Sequence, residues 1–265
     1  MNLRPDAFAG TAEAYARYRP PYPPPLLDDL LEAADVGSDA LVDLATGPGR
    51  IALDLAGRFA RVVAIDLEPD MIAFARGAAA TRGIDNVTWR VGRAEDLDVA
   101  TGSLDLVTIG EAFHRLDQPL VAAKASRWLR PGGCLATLGV DGRFAGESTW
   151  EASVRAVRDR WLTRLFPDGY GPALPAVVEG QEARRRTLGT AGFVDIQSRD
   201  LDEPIERDFD SIVGYLASTS ICSTRVLGDE WPVFVDELRR ALRADEASRY
   251  PDTLRWGYTL ARKPR

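Results

Sequence analysis

The chain has 265 residues, 45% of them hydrophobic, with a formal net charge of −7; this suits one substantial globular core and excludes a largely disordered protein. Apolar runs such as Leu104 to Gly110 are too short to cross a bilayer, and the start Met1-Asn2-Leu3-Arg4-Pro5-Asp6 has no signal-peptide core, so a cytoplasmic protein without a membrane partner is expected. Basic residues are scattered among acids, the densest run being Arg184-Arg185-Arg186, which argues against a nucleic-acid partner.

Chain order gives a regular alternation. Phe8 to Tyr22 carries aromatics at Phe8, Tyr15, Tyr18 and Tyr22 and ends in a proline run, Pro20-Pro21-Tyr22-Pro23-Pro24-Pro25, which breaks one helix and opens another over Leu26 to Ala34. A strand at Ala40–Ala45 is followed by a glycine turn and a helix over Arg50–Gly57. Strand and helix repeat at Arg61–Asp66 and Pro69–Thr81. A third strand follows at Asn86–Val91 and a fourth at Leu104–Ile109, with a helix over Gln118–Leu129 and, after Pro131-Gly132-Gly133, a fifth strand at Cys134–Val140. Strands separated by helices predict a doubly wound, mostly parallel α/β sheet of Rossmann-like type.

Beyond Asp141 the regularity stops. Helices are predicted over Glu147–Leu165, Ala173–Leu188, Phe209–Ala217 and Trp231–Arg243, and strands over Phe193–Asp200 and Thr253–Leu260. The organisation expected is a single domain, 1–265. Within it, 1–35 form N-terminal lid helices, 36–140 the cofactor-binding core, and 141–189 and 203–251 helical insertions over the substrate. Cys134 and Cys222 read as small buried apolar residues, and no constellation of metal ligands stands out.

The chemistry-bearing pattern is Val42-Asp43-Leu44-Ala45-Thr46-Gly47-Pro48-Gly49-Arg50, a glycine turn at the carboxyl end of the first strand, where open α/β sheets bind ligands. Asp66 closes the second strand, placed to accept from a ribose hydroxyl pair, and Gly92-Arg93-Ala94-Glu95-Asp96 follows the third. Gly47-Pro48-Gly49-Arg50-Ile51-Ala52 with Asp66 also satisfies a dinucleotide fingerprint. A dinucleotide site needs a free helix N-terminus for its pyrophosphate, and the acidic Glu95-Asp96 loop beside it counts against that alternative.

With these residues together the sequence resembles the class I S-adenosylmethionine-dependent methyltransferases, in particular the group with a YxRYRPxYP-like segment, here Tyr15 to Pro23. The resemblance runs from Phe8 through the final strand. Asp43 to Gly49 matches the DxxxGxG loop, and Leu129-Arg130-Pro131-Gly132-Gly133 matches the turn before strand five. It implies S-adenosylmethionine as cofactor, S-adenosylhomocysteine as product, and a small-molecule acceptor methylated on nitrogen or oxygen. The cofactor residues it implies are Tyr15, Arg19 and Tyr22 in the lid, Asp43, Ala45, Gly47 and Gly49 in the loop, and Asp66, Leu67 and Met71 after strand two. Ala94, Glu95 and Asp96 would hold adenine, with Gly110 and Phe113 beside the methyl group. The family's usual aspartate is replaced by Arg93, which leaves the adenine contact between Glu95 and Asp96. It also implies an antiparallel strand seven.

His114 is the only histidine, and its ordinary pKa makes it the natural base when proton loss accompanies attack; Glu111 is the second acid–base candidate. Packing at a strand end is the competing role for His114. Trp150, Trp161, Phe166, Tyr170, Tyr215, Ser218 and Ser220 are candidates for a substrate pocket or for core. A dinucleotide-dependent oxidoreductase and a non-methylating relative that only binds the cofactor stay open as alternatives.

Overall fold

The computed structural model describes residues 8–141, 144, 146, 148–167, 180–243 and 248–265. The chain divides into two compact units. The first comprises Pro21–Gly139, Val177–Leu201 and Trp256–Arg265; the second comprises Met1–Pro20, Val140–Ala176 and Asp202–Arg255.

The strands are β1 (Ala40–Leu44), β2 (Arg61–Asp66), β3 (Val87–Val91), β4 (Leu104–Gly110), β5 (Leu129–Asp141), β6 (Val194–Arg207) and β7 (Tyr250–Arg262). The helices are α1 (Ala12–Tyr18), α2 (Pro24–Ala34), α3 (Arg50–Leu55), α4 (Pro69–Arg82), α5 (Gln118–Trp128), α6 (Thr149–Leu165), α7 (Gln181–Thr190), α8 (Phe209–Ala217), α9 (Thr224–Leu227) and α10 (Trp231–Arg243). The sheet order is β3-β2-β1-β4-β5-β7-β6, and β1–β2, β1–β4, β2–β3 and β4–β5 pair in parallel. The mostly parallel α/β sheet expected from the alternation is present.

The direction of winding reverses between β1 and β4. Their carboxyl ends lie side by side, with Leu44 opposite Ile109, and this is the crevice in which doubly wound sheets take ligands. Every residue of β1 and Leu104 to Ile109 of β4 are buried, because layers cover both faces. On one face Leu44, Val107, Ile109 and Leu135 pack with Val121, Ala122, Ala125 and Trp128 of α5 and with Leu188 of α7. Local chemistry fixes the helix ends: Pro69 opens α4, left-handed Gly83 closes it, and Asp117 caps α5 by accepting from Leu120 N–H at 3.1 Å.

Several boundaries differ from the sequence reading. The Arg130-Pro131-Gly132-Gly133 run is a bulge inside β5 rather than a turn before it, since Leu104 pairs with Leu129 and Leu106 already with Cys134. β6 continues to Arg207 and β7 starts at Tyr250, so both borders of the 203–251 stretch are strand. An edge strand tolerates Pro204 and the acidic residues beside it. Helix α9 was not anticipated. Glu147, Tyr170 and the 173–179 part of a predicted helix lie outside the described residues.

In the second unit, Phe144, Trp150, Trp161, Tyr215, Phe234 and Leu238 belong to one core cluster. Gly214 on α8 lies against the Tyr18 ring of α1, and any side chain there would enter that ring. A buried ion pair, Arg207 Nε to Asp252 Oδ2 at 2.7 Å, links the ends of β6 and β7. Among the described residues no helix is long and apolar enough to cross a membrane.

Candidate active site

The glycine turn after β1 is built by backbone conformations that few side chains adopt. Ala45, Gly47 and Gly49 all have positive φ, at 52°, 56° and 83°. A Cβ on Gly49 would stand 2.6 Å from the Trp89 ring, whereas one on Gly47 would meet nothing within 4 Å. Gly49 is therefore required by packing and conformation, and Gly47 leaves room in front of the loop.

Asp66 ties this loop to β2. Its carboxylate accepts from Gly47 N–H at 2.7 Å and from Glu68 N–H at 2.9 Å, while Thr46 N–H donates to the Ile65 carbonyl at 3.0 Å. Partial burial raises its carboxyl pKa against these donors and the nearby Arg115. Each oxygen keeps a further acceptor position, so the group can also receive hydroxyl donors.

Asp43 lies beneath the loop, 1% exposed. One oxygen accepts from Thr46 Oγ1 at 2.5 Å and the other from Thr108 Oγ1 at 2.7 Å. Desolvation nevertheless pushes its carboxyl up to about 6. Here the acid holds the loop to β4.

At the end of β4 a Cβ on Gly110 would stand 2.5 Å from the Tyr22 hydroxyl and 2.7 Å from Ile51 Cδ1. Tyr22, buried against the Trp256 ring at 5.2 Å, thus comes to the mouth of the crevice only because residue 110 has no side chain. The next residue, Glu111, has φ 53°, a strained value for a non-glycine residue that mirrors Ala45 at the end of the neighbouring strand.

Phe113, His114 and Arg115 form a 3₁₀ turn after β4, with Phe113 buried in the core. Burial, with Arg115 and Arg184 nearby, lowers the His114 pKa to about 4, so the imidazole is neutral at pH 7. After β3, Ala94 is buried and Glu95 turns inward, accepting from Asp117 N–H at 3.1 Å and pairing with Arg93 at 3.6 Å. Asp96 faces solvent. Leu67 is exposed at the end of β2, and Met71 is buried in α4.

The profile of the family described as "Methyltransferase domain" matches residues 41–133, from β1 to the bulge of β5. An uncharacterized methyltransferase of Mycobacterium tuberculosis (strain ATCC 25618 / H37Rv) is 34% identical over 220 residues, covering 82% of this chain and 78% of its own. The chain belongs to the class I S-adenosylmethionine-dependent methyltransferases. This methyltransferase is also 33% identical over 150 residues to a ubiquinone biosynthesis O-methyltransferase of Xanthomonas oryzae pv. oryzae, covering 55% of this chain and 59% of that one. A protein from Anaeromyxobacter dehalogenans described as a "Putative Type II Methyltransferase" shares its fold, with a TM-score of 0.63 at 23% identity over 93% of this chain and 98% of the other.

The first unit of the methyltransferase brings together Tyr22, the loop, Asp66, Glu95, Gly110 and His114. Tyr15 and Arg19 belong to the second unit. There the Arg19 guanidinium stacks on Tyr15 at 4.2 Å and donates to the Ser218 hydroxyl at 3.1 Å and to its carbonyl at 3.3 Å. Trp150, Trp161 and Tyr215 are buried in that unit's core; a cleft of about 800 Å³ there is lined by Glu151, Asp202, Asp252 and Arg255 among others. Three supporting residues escaped the sequence reading. Thr46 and Thr108 satisfy Asp43, and Lys124 Nζ donates to the Glu95 carbonyl at 2.5 Å and the Leu97 carbonyl at 2.9 Å, fixing the acidic loop. Only Thr46, three residues after an aspartate in a loop, carried a local signal.

Proposed function

We propose that this chain binds S-adenosylmethionine along the carboxyl ends of β1, β2, β3 and β4 and transfers its methyl group to a nitrogen or oxygen of a small-molecule metabolite. A single observation carries the reading: the open-faced Gly47 loop is fixed from one side by the Asp66 carboxylate and from beneath by Asp43. Along the strand order β3-β2-β1, buried Ala94 beside inward-turned Glu95 fits adenine, the acceptor oxygens of Asp66 fit the ribose, and the room in front of Gly47 fits the amino-acid tail. A place in biosynthesis, including that of natural products, agrees with the name of the ubiquinone relative, which acts on oxygen.

The cofactor supplies an electrophilic methyl on sulfonium when bound. The protein's part is alignment and exclusion of water, which together lower the barrier by ~7–11 kcal/mol in favourable cases. Asp66 fixes the ribose through its carboxylate. Tyr22 closes the crevice over Gly110. Neutral His114 accepts a hydrogen bond from the nucleophile and receives its proton as transfer proceeds, with Glu111 as the second group able to do so. An imidazole of such low proton affinity orients the acceptor more than it stores its proton.

Calorimetric titration with S-adenosylmethionine, S-adenosylhomocysteine and NAD tests this reading. Micromolar binding of both adenosyl ligands, lost by at least tenfold in Asp66→Ala, is expected. Binding of NAD alone makes the protein a dinucleotide enzyme and refutes the proposal.

A further inference from the structure

Buried polar atoms without a hydrogen-bond partner are rare, and each calls for an explanation. Among those in the first unit are the Thr137 hydroxyl and the side-chain oxygen of Gln118. Thr137, 2% exposed, lies opposite Ile109 in the β4–β5 register. Partners in register share a face of the sheet, so its side chain points to the layer against which Ile109 packs, which is α5. Gln118 precedes buried Val121 and Ala122 by one turn and shares their inward helix face. Both residues therefore sit between the first turn of α5 and the carboxyl ends of β4 and β5. The His114 loop joins them there: Glu111 N–H donates to the Leu138 carbonyl at 2.7 Å, and the His114 imidazole makes no hydrogen bond or ion pair among the described residues.

We propose that Gln118 and Thr137 form the subsite for the polar group of the methyl acceptor, and that this group carries an N–H or O–H. The inference rests on the methyltransferase reading of the adjoining crevice. A glutamine oxygen only accepts, so whatever satisfies it must donate; a carboxylate has no proton to give. The Thr137 hydroxyl then accepts from the same group or donates to its lone pair. An amine or an alcohol meets both demands. Such a group lies beside His114, which can accept its proton.

Thr137→Val and Gln118→Leu remove the polar atoms with little change of shape. If these atoms await a ligand, both variants melt roughly 2–4 °C higher than the wild type while S-adenosylhomocysteine affinity stays within about twofold. A melting point lowered by several degrees in both variants overturns the proposal, because the atoms would then serve the fold. Crystals of the S-adenosylhomocysteine complex soaked in benzyl alcohol, benzylamine or benzoate supply the second readout. The alcohol, the amine or both should place O or N within about 3.2 Å of the Gln118 oxygen, and not in Gln118→Leu. Alcohol alone marks an oxygen acceptor and amine alone a nitrogen acceptor; either supports the subsite. Benzoate at Gln118, or an ordered water only in every soak, overturns it. Failure of the wild type to bind S-adenosylhomocysteine at all removes the cofactor reading beneath it, which is a separate and recognisable result.

Discussion

Replacing Asp43 by Asn isolates the cost of the buried carboxylate under the glycine loop. Burial pushes the carboxyl from 3.8 to about 6, although Thr46 and Thr108 both donate to it. At about 1.4 kcal/mol per pH unit, that shift is on the order of 3 kcal/mol between the two protonation states. The folded protein keeps this proton up to about pH 6, whereas the unfolded chain releases it near pH 4. Within that window the folded state binds more protons, so stability falls as pH rises through it, and the full cost is present above pH 6. An amide at position 43 is neutral throughout, and the two threonine hydroxyls can turn to meet its oxygen and its N–H. Urea unfolding of both proteins at a series of pH values from 4 to 8 gives the difference directly, with contributions common to both cancelling. The stability of Asp43→Asn relative to the wild type should increase by on the order of 3 kcal/mol between pH 4 and pH 7.5. Parallel profiles would show that the carboxyl titrates normally in the folded protein, and the account of a desolvated acid beneath the loop would fail.

Gly110→Ala drives a methyl group onto the Tyr22 hydroxyl and Ile51, so S-adenosylhomocysteine affinity should drop by at least tenfold and recover partly in Gly110→Ala/Tyr22→Phe. An unchanged Kd in the single variant speaks against Tyr22 at the crevice. His114→Gln should lower kcat for methyl transfer with cofactor affinity intact. Because the imidazole stays neutral down to about pH 4, the wild-type rate should show no break at pH 6.5; a break there would mean that His114 is solvated. Gly214→Ala forces α1 and α8 apart at the Tyr18 ring, and a loss of about 1–3 kcal/mol is expected in thermal unfolding of the second unit. Wild-type stability in that variant would argue against the observed packing of α1.

The first half of the chain was legible because its signals are local. Alternating apolar runs and helix stops such as the Pro20 to Pro25 run follow from period and from backbone conformation. Gly47, Gly49 and Asp66 could be read as a site because a tight turn at a strand end demands small residues there and leaves an acid at the next strand's tip. Tertiary structure alone decided the rest. Thr108 is one more apolar-strand residue until the β1–β4 register sets it opposite Asp43. Asp105 looks solvent-facing in sequence, yet it is fully buried, where it accepts from Asp39 and Ala40 N–H at 2.9 and 2.8 Å and pairs with Arg130. Arg19 donates to the Ser218 hydroxyl, a partner 199 positions away that no local pattern reveals. The aromatics of the second unit had the period of a helix face, which fits a pocket wall and a core equally well, and packing made them core. A sequence fixes what each residue can donate, accept or bury; which of those capacities is used depends on long-range neighbours that only the folded chain brings within reach.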